Sequence, residues 1–261
     1  LVIVTHRKTG TKNYFYIFGG RDERSQFTMD DNPSLTEQTK QRYMRMFSGV
    51  FFKRFILGLW VLAEGIIYDM WDEEKHVFDY SGQEYNEYYV AIDYVTSTVM
   101  TFGLYGIERN KDGDKVFLIK EYYYDAKKKG RQKTDSEFAD DFETFLGNIK
   151  PRAIYIDPSA ASFKAELKKR GYMQVKNADN DVVSGMRLVA TFLATGRFFV
   201  ERNCRDTIKE FGSYVWDSKA QERGEDKPLK ENDHAMDRNR YFIYTKYKKA
   251  KIGVIDKPKG W

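Results

Sequence analysis

The sequence predicts an α/β protein. It should build a mixed sheet, an antiparallel three-strand meander plus parallel strands, flanked by helices and preceded by a small N-terminal linker subdomain. Three observations carry this reading. Residues 88–94, 101–108 and 115–124 are rich in aromatic and β-branched residues, and Asn110 to Asp114 (NKDGD) is a turn of the kind that joins hairpin strands. From Thr134 onward, helical spacing alternates with short apolar runs. Three consecutive strands followed by alternating helices and strands imply a mixed sheet covered by helices. Composition supplies the core: 41% of the 261 residues are hydrophobic and 16% aromatic, with 19 Tyr and 19 Phe. That suffices for one full domain plus a smaller flanking piece, and a disordered chain would be poorer in such residues.

In chain order, residues 1–5 and 14–18 read as short strands, followed by Gly19-Gly20 and a charged stretch. Pro33-Ser34 opens a helix over 35–46, with Ser34 as N-cap, and 51–63 is apolar and helical in character. No constellation of chemical groups precedes Lys75, so 1–75 reads as the end of one domain and a linker subdomain, and 76–261 as the second domain. After the meander, Phe138, Phe142, Phe145 and Leu146 mark a helix over 134–146. A buried strand at 153–156 ends at Asp157-Pro158, and a helix over 161–170 is closed by Gly171. A strand at 172–175, a helix over 182–194 ended by Gly196 and a helix over 206–211 follow. Residues 214–216 and 228–230 pair as a hairpin around the polar tip 222–226, and a last helix spans 233–246. The low-complexity stretches are basic, at 127–133 and 246–251.

Charge and cysteine usage narrow the function classes. The net charge of +5, from 44 basic and 39 acidic residues, permits phosphate binding without demanding it. The single cysteine, Cys204, excludes an internal disulfide framework and a cysteine-rich zinc site, and fits a reducing, intracellular setting. No apolar run approaches the ~20 residues that span a bilayer. The best candidate, 55–67, is too short and contains Glu64, so no membrane partner is expected.

The acids stand out. Asp93 follows Tyr89-Val90-Ala91-Ile92 and Asp157 follows Ile154-Tyr155-Ile156, each at a strand end where an ionised carboxylate is costly unless paired or bound to a cation. Either alone also reads as a cap or Asx-turn. Two of them on adjacent strands favour metal binding. A third group is Asp233-His234-Ala235-Met236-Asp237, where His234 and Asp237 share a helix face. Asp233 reads as an N-cap. Oxygen-rich clusters suit Mg2+ or Mn2+, and two such ions about 4 Å apart activate a water and stabilise a leaving phosphodiester oxygen. A histidine beside them assists proton transfer or adds a ligand. Asp179 and Asp181 read as caps of the helix that follows, with an edge position in the acidic site as the alternative. His6 and His76 read as surface or packing residues.

These residues resemble a known family, the large terminase subunits of tailed phages of the PBSX type. The matching stretches are FTMDDNPSLTEQTKQRYMRMFSGVFFKRFILGLWVLAEGIIYDMWD from Phe27, AIDY from Ala91, IYIDPSAASF from Ile154, and RDTIKEFGSYVWDSKAQERGEDKPLKENDHAMDRNRY from Arg205. The resemblance implies an N-terminal packaging ATPase and a C-terminal RNase H-like nuclease. It makes Asp93, Asp157 and Asp237 the metal-binding aspartates and His234 the histidine of the same helical motif. The implied activity is metal-dependent cutting of concatemeric double-stranded DNA in the host cytoplasm, with a small terminase subunit and a portal protein as partners. Two departures stand beside it. The Walker A pattern GxxxxGKS/T is absent, so no ATPase activity is expected of this chain, and the stretch from Asn13 to Gln26 looks like an internal piece of the ATPase domain that runs directly into Phe27. Val95 stands where the family usually carries Gly, which implies either backbone strain beside Asp93 or a valine that simply packs. The competing functions are another RNase H-like nuclease such as a junction resolvase, and a catalytically silent remnant that only binds DNA or a partner.

Overall fold

The computed structural model describes residues 4–8, 11–15, 35–47, 49–57, 64–95 and 98–248. The chain divides into two compact units, residues 1–62 and 63–261. In the first, β1 (Val4–Lys8) and β2 (Thr11–Phe15) form an antiparallel hairpin, followed by α1 (Glu37–Met46) and α2 (Gly49–Phe55). The strands sit closer together than the expected 1–5 and 14–18. Residues 1–3 and 16–18 of those expectations lie outside the described residues, as do the expected cap Ser34 and residues 58–63 of the second helix. Thr36 caps α1: its extended backbone (φ −67°) lets its hydroxyl accept from the Thr39 amide at 3.3 Å.

The second unit is built on a seven-stranded sheet. Its strands are β3 (Val77–Phe78), β4 (Glu87–Asp93), β5 (Val99–Glu108), β6 (Lys115–Asp125), β7 (Ala153–Ile156), β8 (Val175–Asn177) and β9 (Phe198–Glu201), in the spatial order β3-β9-β6-β5-β4-β7-β8. β4, β5 and β6 are the antiparallel meander, and all other pairings are parallel. The β5–β6 turn closes with the Gly113 amide on the Asn110 carbonyl, at a left-handed φ of 115° that glycine adopts without steric cost. Being central, β5 is buried along nearly its whole length, on both faces.

Helices cover both sides. α5 (Asp135–Leu146), started by a Thr134–Glu137 capping box, and α6 (Ala161–Lys169) bring Phe138, Phe142, Phe145 and Phe163 onto Phe102, Leu104 and Ile154. α7 (Val182–Ala194) packs on α10 (His234–Tyr247), which crosses β4, β5 and β7, with Phe242 stacked on Tyr105 at 4.1 Å. Asp181 caps α7 by accepting from the Ser184 amide, as expected, while Asp179 pairs with Lys248. The remaining helices are α3 (Glu73–His76), α4 (Ala126–Lys129), α8 (Arg205–Ser213) and α9 (Ser218–Glu222).

Three expectations need correction. β9 and β3 were not anticipated: Phe198-Phe199-Val200-Glu201 has neither alternation nor flanking turns distinctive enough to mark a strand, and only its parallel neighbours, β6 and β3, define it. The strand expected at 172–175 sits at Val175–Asn177, because the turn after Gly171 (φ 97°) uses Tyr172, whose amide returns to the Leu167 carbonyl. The hairpin of 214–216 with 228–230 shrinks to a single bridge, Trp216 to Pro228; proline has no N–H to extend a ladder, and α9 fills the connection.

Candidate metal centre

The sheet register places the two strand-end acids side by side. Ile92 of β4 is paired in parallel with Ile156 of β7, and Asp93 and Asp157 are each the next residue. α10 crosses these strands and carries the other two candidates, His234 and Asp237, in its first turn. Asp93 is 6% exposed, and its Oδ2 lies 2.9 Å from His234 Nδ1. Asp157 Oδ1 accepts from the Ser159 amide at 2.7 Å, the Asx-turn alternative, while its Oδ2 accepts from the Tyr241 hydroxyl at 2.7 Å. The fourth candidate, Asp237, accepts from Arg240 Nη2 at 2.8 Å on one oxygen and from Lys230 Nζ at 3.0 Å on the other. Thus Asp93 and His234 are in direct contact, Asp157 reaches α10 through Tyr241, and Asp237 faces basic partners. Among the described residues, no three acids or histidines are already arranged around one ion position.

The electrostatics tie these groups into one field. Burial pushes the Asp93 carboxyl up; His234 opposes the rise and the Asp237 charge adds to it. Burial works against a charged His234 ring, yet the Asp93 carboxylate raises its pKa above the ordinary value, so the two titrate as a pair. For Asp157 burial favours the neutral acid, but hydrogen bonds from Ser159 and Tyr241 outweigh it and hold the carboxyl below its usual range. Tyr241 is raised by burial and then by the charges of Asp93 and Asp237, so its phenol keeps the proton it donates to Asp157. Asp93 and Asp237 are buried carboxylates, and the charge of the second opposes ionisation of the first, which is the donor chemistry a hard divalent cation prefers. The residues therefore fit such an ion in kind.

Several contributors were not singled out from sequence. Tyr241 lies one turn beyond Asp237 on the same helix face, a spacing that was readable. Glu210 was not: its Oε2 accepts from the amides of Ala235 at 2.7 Å and Met236 at 3.2 Å, so it caps α10 from another helix. Asp233, expected as that cap, makes no side-chain cap bond. Arg240 reaches Asp237 because α7 carries Gly185, where a Cβ would come within 2.5 Å of the arginine stem. Val95 carries no positive φ; among the described residues the single non-glycine that does is Asn232, at 51°. The valine is half-buried, so the strained alternative is not what the backbone adopts. His76 is a packing residue, buried between the Asp72 and Leu193 carbonyls, and the side chain of His6 lies outside the described residues.

No family model matches the chain. The terminase large subunit of Escherichia phage T5 is 23% identical over 264 residues, covering 94% of this chain and 58% of that protein. The large terminase of a thermophilic bacteriophage is 50% identical and superposes with a TM-score of 0.79, covering 84% of this chain and 53% of its own. The nuclease domain of the phage P22 large terminase, 18% identical, superposes with a TM-score of 0.56 over 72% of this chain and 95% of that domain, a likeness of fold. The chain spans about half the length of the longer relatives it matches. Its sheet and flanking helices are the RNase H-like arrangement of terminase nuclease domains, and the chain is a homologue of phage terminase large subunits.

Proposed function

We propose that this chain contains the nuclease of a genome-packaging terminase, a divalent-metal-dependent endodeoxyribonuclease that cuts concatemeric double-stranded DNA using two Mg2+ or Mn2+ ions. The observation that carries the reading is the register of β4 and β7, which sets Asp93 and Asp157 beside each other under the helix bearing Asp237. Asp93, Asp157 and Asp237 would hold the ions. When bound there, such ions lower the pKa of a water and stabilise the leaving oxygen of the phosphodiester. His234 holds a proton at Nδ1 against Asp93 Oδ2 and is the group placed to move protons beside the reacting phosphate. Tyr241 fixes the orientation of Asp157, and Glu210 fixes the start of α10. In this reading residues 1–75 are the end of the ATPase domain and the linker, the small terminase subunit and the portal protein are partners, and the setting is the host cytoplasm. No helix among the described residues is long and apolar enough to cross a membrane.

The test is plasmid cleavage with and without Mn2+. Wild-type protein should nick or linearise plasmid only with the metal, and Asp93→Asn, Asp157→Asn and Asp237→Asn should each lose about 100-fold or more while staying folded. Full cleavage by any one variant removes that residue from the site. Metal-independent binding without cleavage by the wild type would favour the silent-remnant alternative.

A further inference from the structure

We infer that Lys230 is an internal cation that competes with a divalent ion for the Asp233–Asp237 pair, and so acts as a latch on the metal centre. The inference rests on the metal-site reading above. The Lys230 ammonium lies 2.9 Å from Asp233 Oδ2 and 3.0 Å from Asp237 Oδ2. The two carboxylates are fixed: their side chains are 8% and 11% exposed, whereas the lysine side chain is 63% exposed. The anchors are therefore held by the fold, and the cation between them sits on a flexible stem that can leave.

Asp233 supplies the independent sign that a cation belongs there. Its Oδ2 is buried and finds no partner among the fixed groups around it; the Lys230 ammonium, 2.9 Å away, is what faces it. Asp233 is available because it does not cap α10, a role taken by Glu210. The left-handed turn at Asn232 (φ 51°), a conformation asparagine tolerates, folds Lys230 back towards the acids. Asp237 is divided in the same sense. One oxygen is tied to Arg240, which is buried and cannot leave, and the other to Lys230, which can. A doubly charged ion between two buried carboxylates gains more Coulomb energy than an ammonium does, so the ion wins when it is present, and the lysine keeps the acids compensated when it is not.

The experiment is calorimetric titration of the whole chain with Mn2+ alone, in wild type, Lys230→Met and Lys230→Arg, with melting temperatures measured in parallel. Lys230→Met should bind Mn2+ roughly tenfold more tightly, the order set by one partly exposed ion pair. It should also melt lower than wild type without metal and gain more on metal addition. Lys230→Arg, which keeps the charge, should bind no more tightly than wild type. Asp233→Asn should weaken binding and erase most of the Lys230→Met gain when the two are combined. Equal or weaker binding by Lys230→Met, with wild type binding normally, overturns the latch and leaves the metal site standing. No Mn2+ binding by either protein overturns the metal site and the latch with it.

Discussion

Two groups of buried charge meet the first turn of α10, and they are compensated in different ways. In one, Glu121 accepts from the Asp206 and Thr207 amides and the Thr207 hydroxyl, and Glu210 accepts from Tyr123 and the Ala235 and Met236 amides. Arg238, 0% exposed, lies among them and donates to Thr101, Phe102, Tyr105 and Thr207. Every partner is backbone or a buried or half-buried side chain. In the other group, Asp93, Asp233 and Asp237 face one histidine, one buried arginine and one exposed lysine, and it is that lysine which the buried carboxylate oxygen of Asp233 meets. The lesson is that burial alone does not mark a reactive site. The first group is closed by partners that cannot leave, and the second keeps a place that can be exchanged.

The comparison can be broken at its strongest point first. Arg238→Met removes the cation of the closed group and leaves the Glu121 side chain, 6% exposed, without its counter-charge, so unfolding free energy measured in denaturant should fall by about 3–5 kcal/mol. A loss near zero would mean that the closed group is not held by its arginine.

The second effect is a pH dependence. Burial raises Glu210 to about 7 against the pull of Tyr123 and the two amides. The folded state therefore keeps a proton that the unfolded chain releases at lower pH. The associated stability is fully present below about pH 4.5 and is lost as pH rises through 7, by up to about 3 kcal/mol. Glu210→Gln should flatten that segment of the stability curve; an unchanged slope would assign it to other groups.

Smaller effects belong to the open group. Asp93→Asn keeps a hydrogen bond to His234 and removes a buried charge, so stability should change by no more than about 1 kcal/mol while cleavage collapses. A large loss of stability would place Asp93 with the closed group. Smallest of all, Val95→Gly should cleave no faster than wild type and lose at most about 1 kcal/mol of stability, because the valine occupies ordinary backbone and glycine only adds unfolded-state entropy. Faster cleavage would show that the valine strains the loop.

Much of this was legible in the chain. Asp93 and Asp157 were visible because an acid directly after a run of buried apolar residues is costly, and the strand pattern placed them on neighbouring strands. His234 and Asp237 were visible from their spacing on a helix. The meander was visible because its turn and its strand composition are local signals. β9 was not, since four residues of mixed apolar character become a strand only beside β6. Nor were Glu210, Lys230 and the release of Asp233 from capping. Glu210 reaches the Ala235 amide across 25 residues of sequence, and nothing local announces that it, rather than Asp233, caps α10. In the basic stretch 127–133, Lys128, Arg131 and Lys133 are paired with Asp125, Glu137 and Asp141, acids whose approach the run of basic residues does not announce.

The most direct measurement of the central claim is an anomalous difference map from crystals soaked in Mn2+. The account predicts density bounded by Asp93, Asp157 and Asp237, with the Lys230 ammonium withdrawn from Asp237. Manganese bound elsewhere, or none at these three carboxylates at a concentration that supports cleavage, would contradict it.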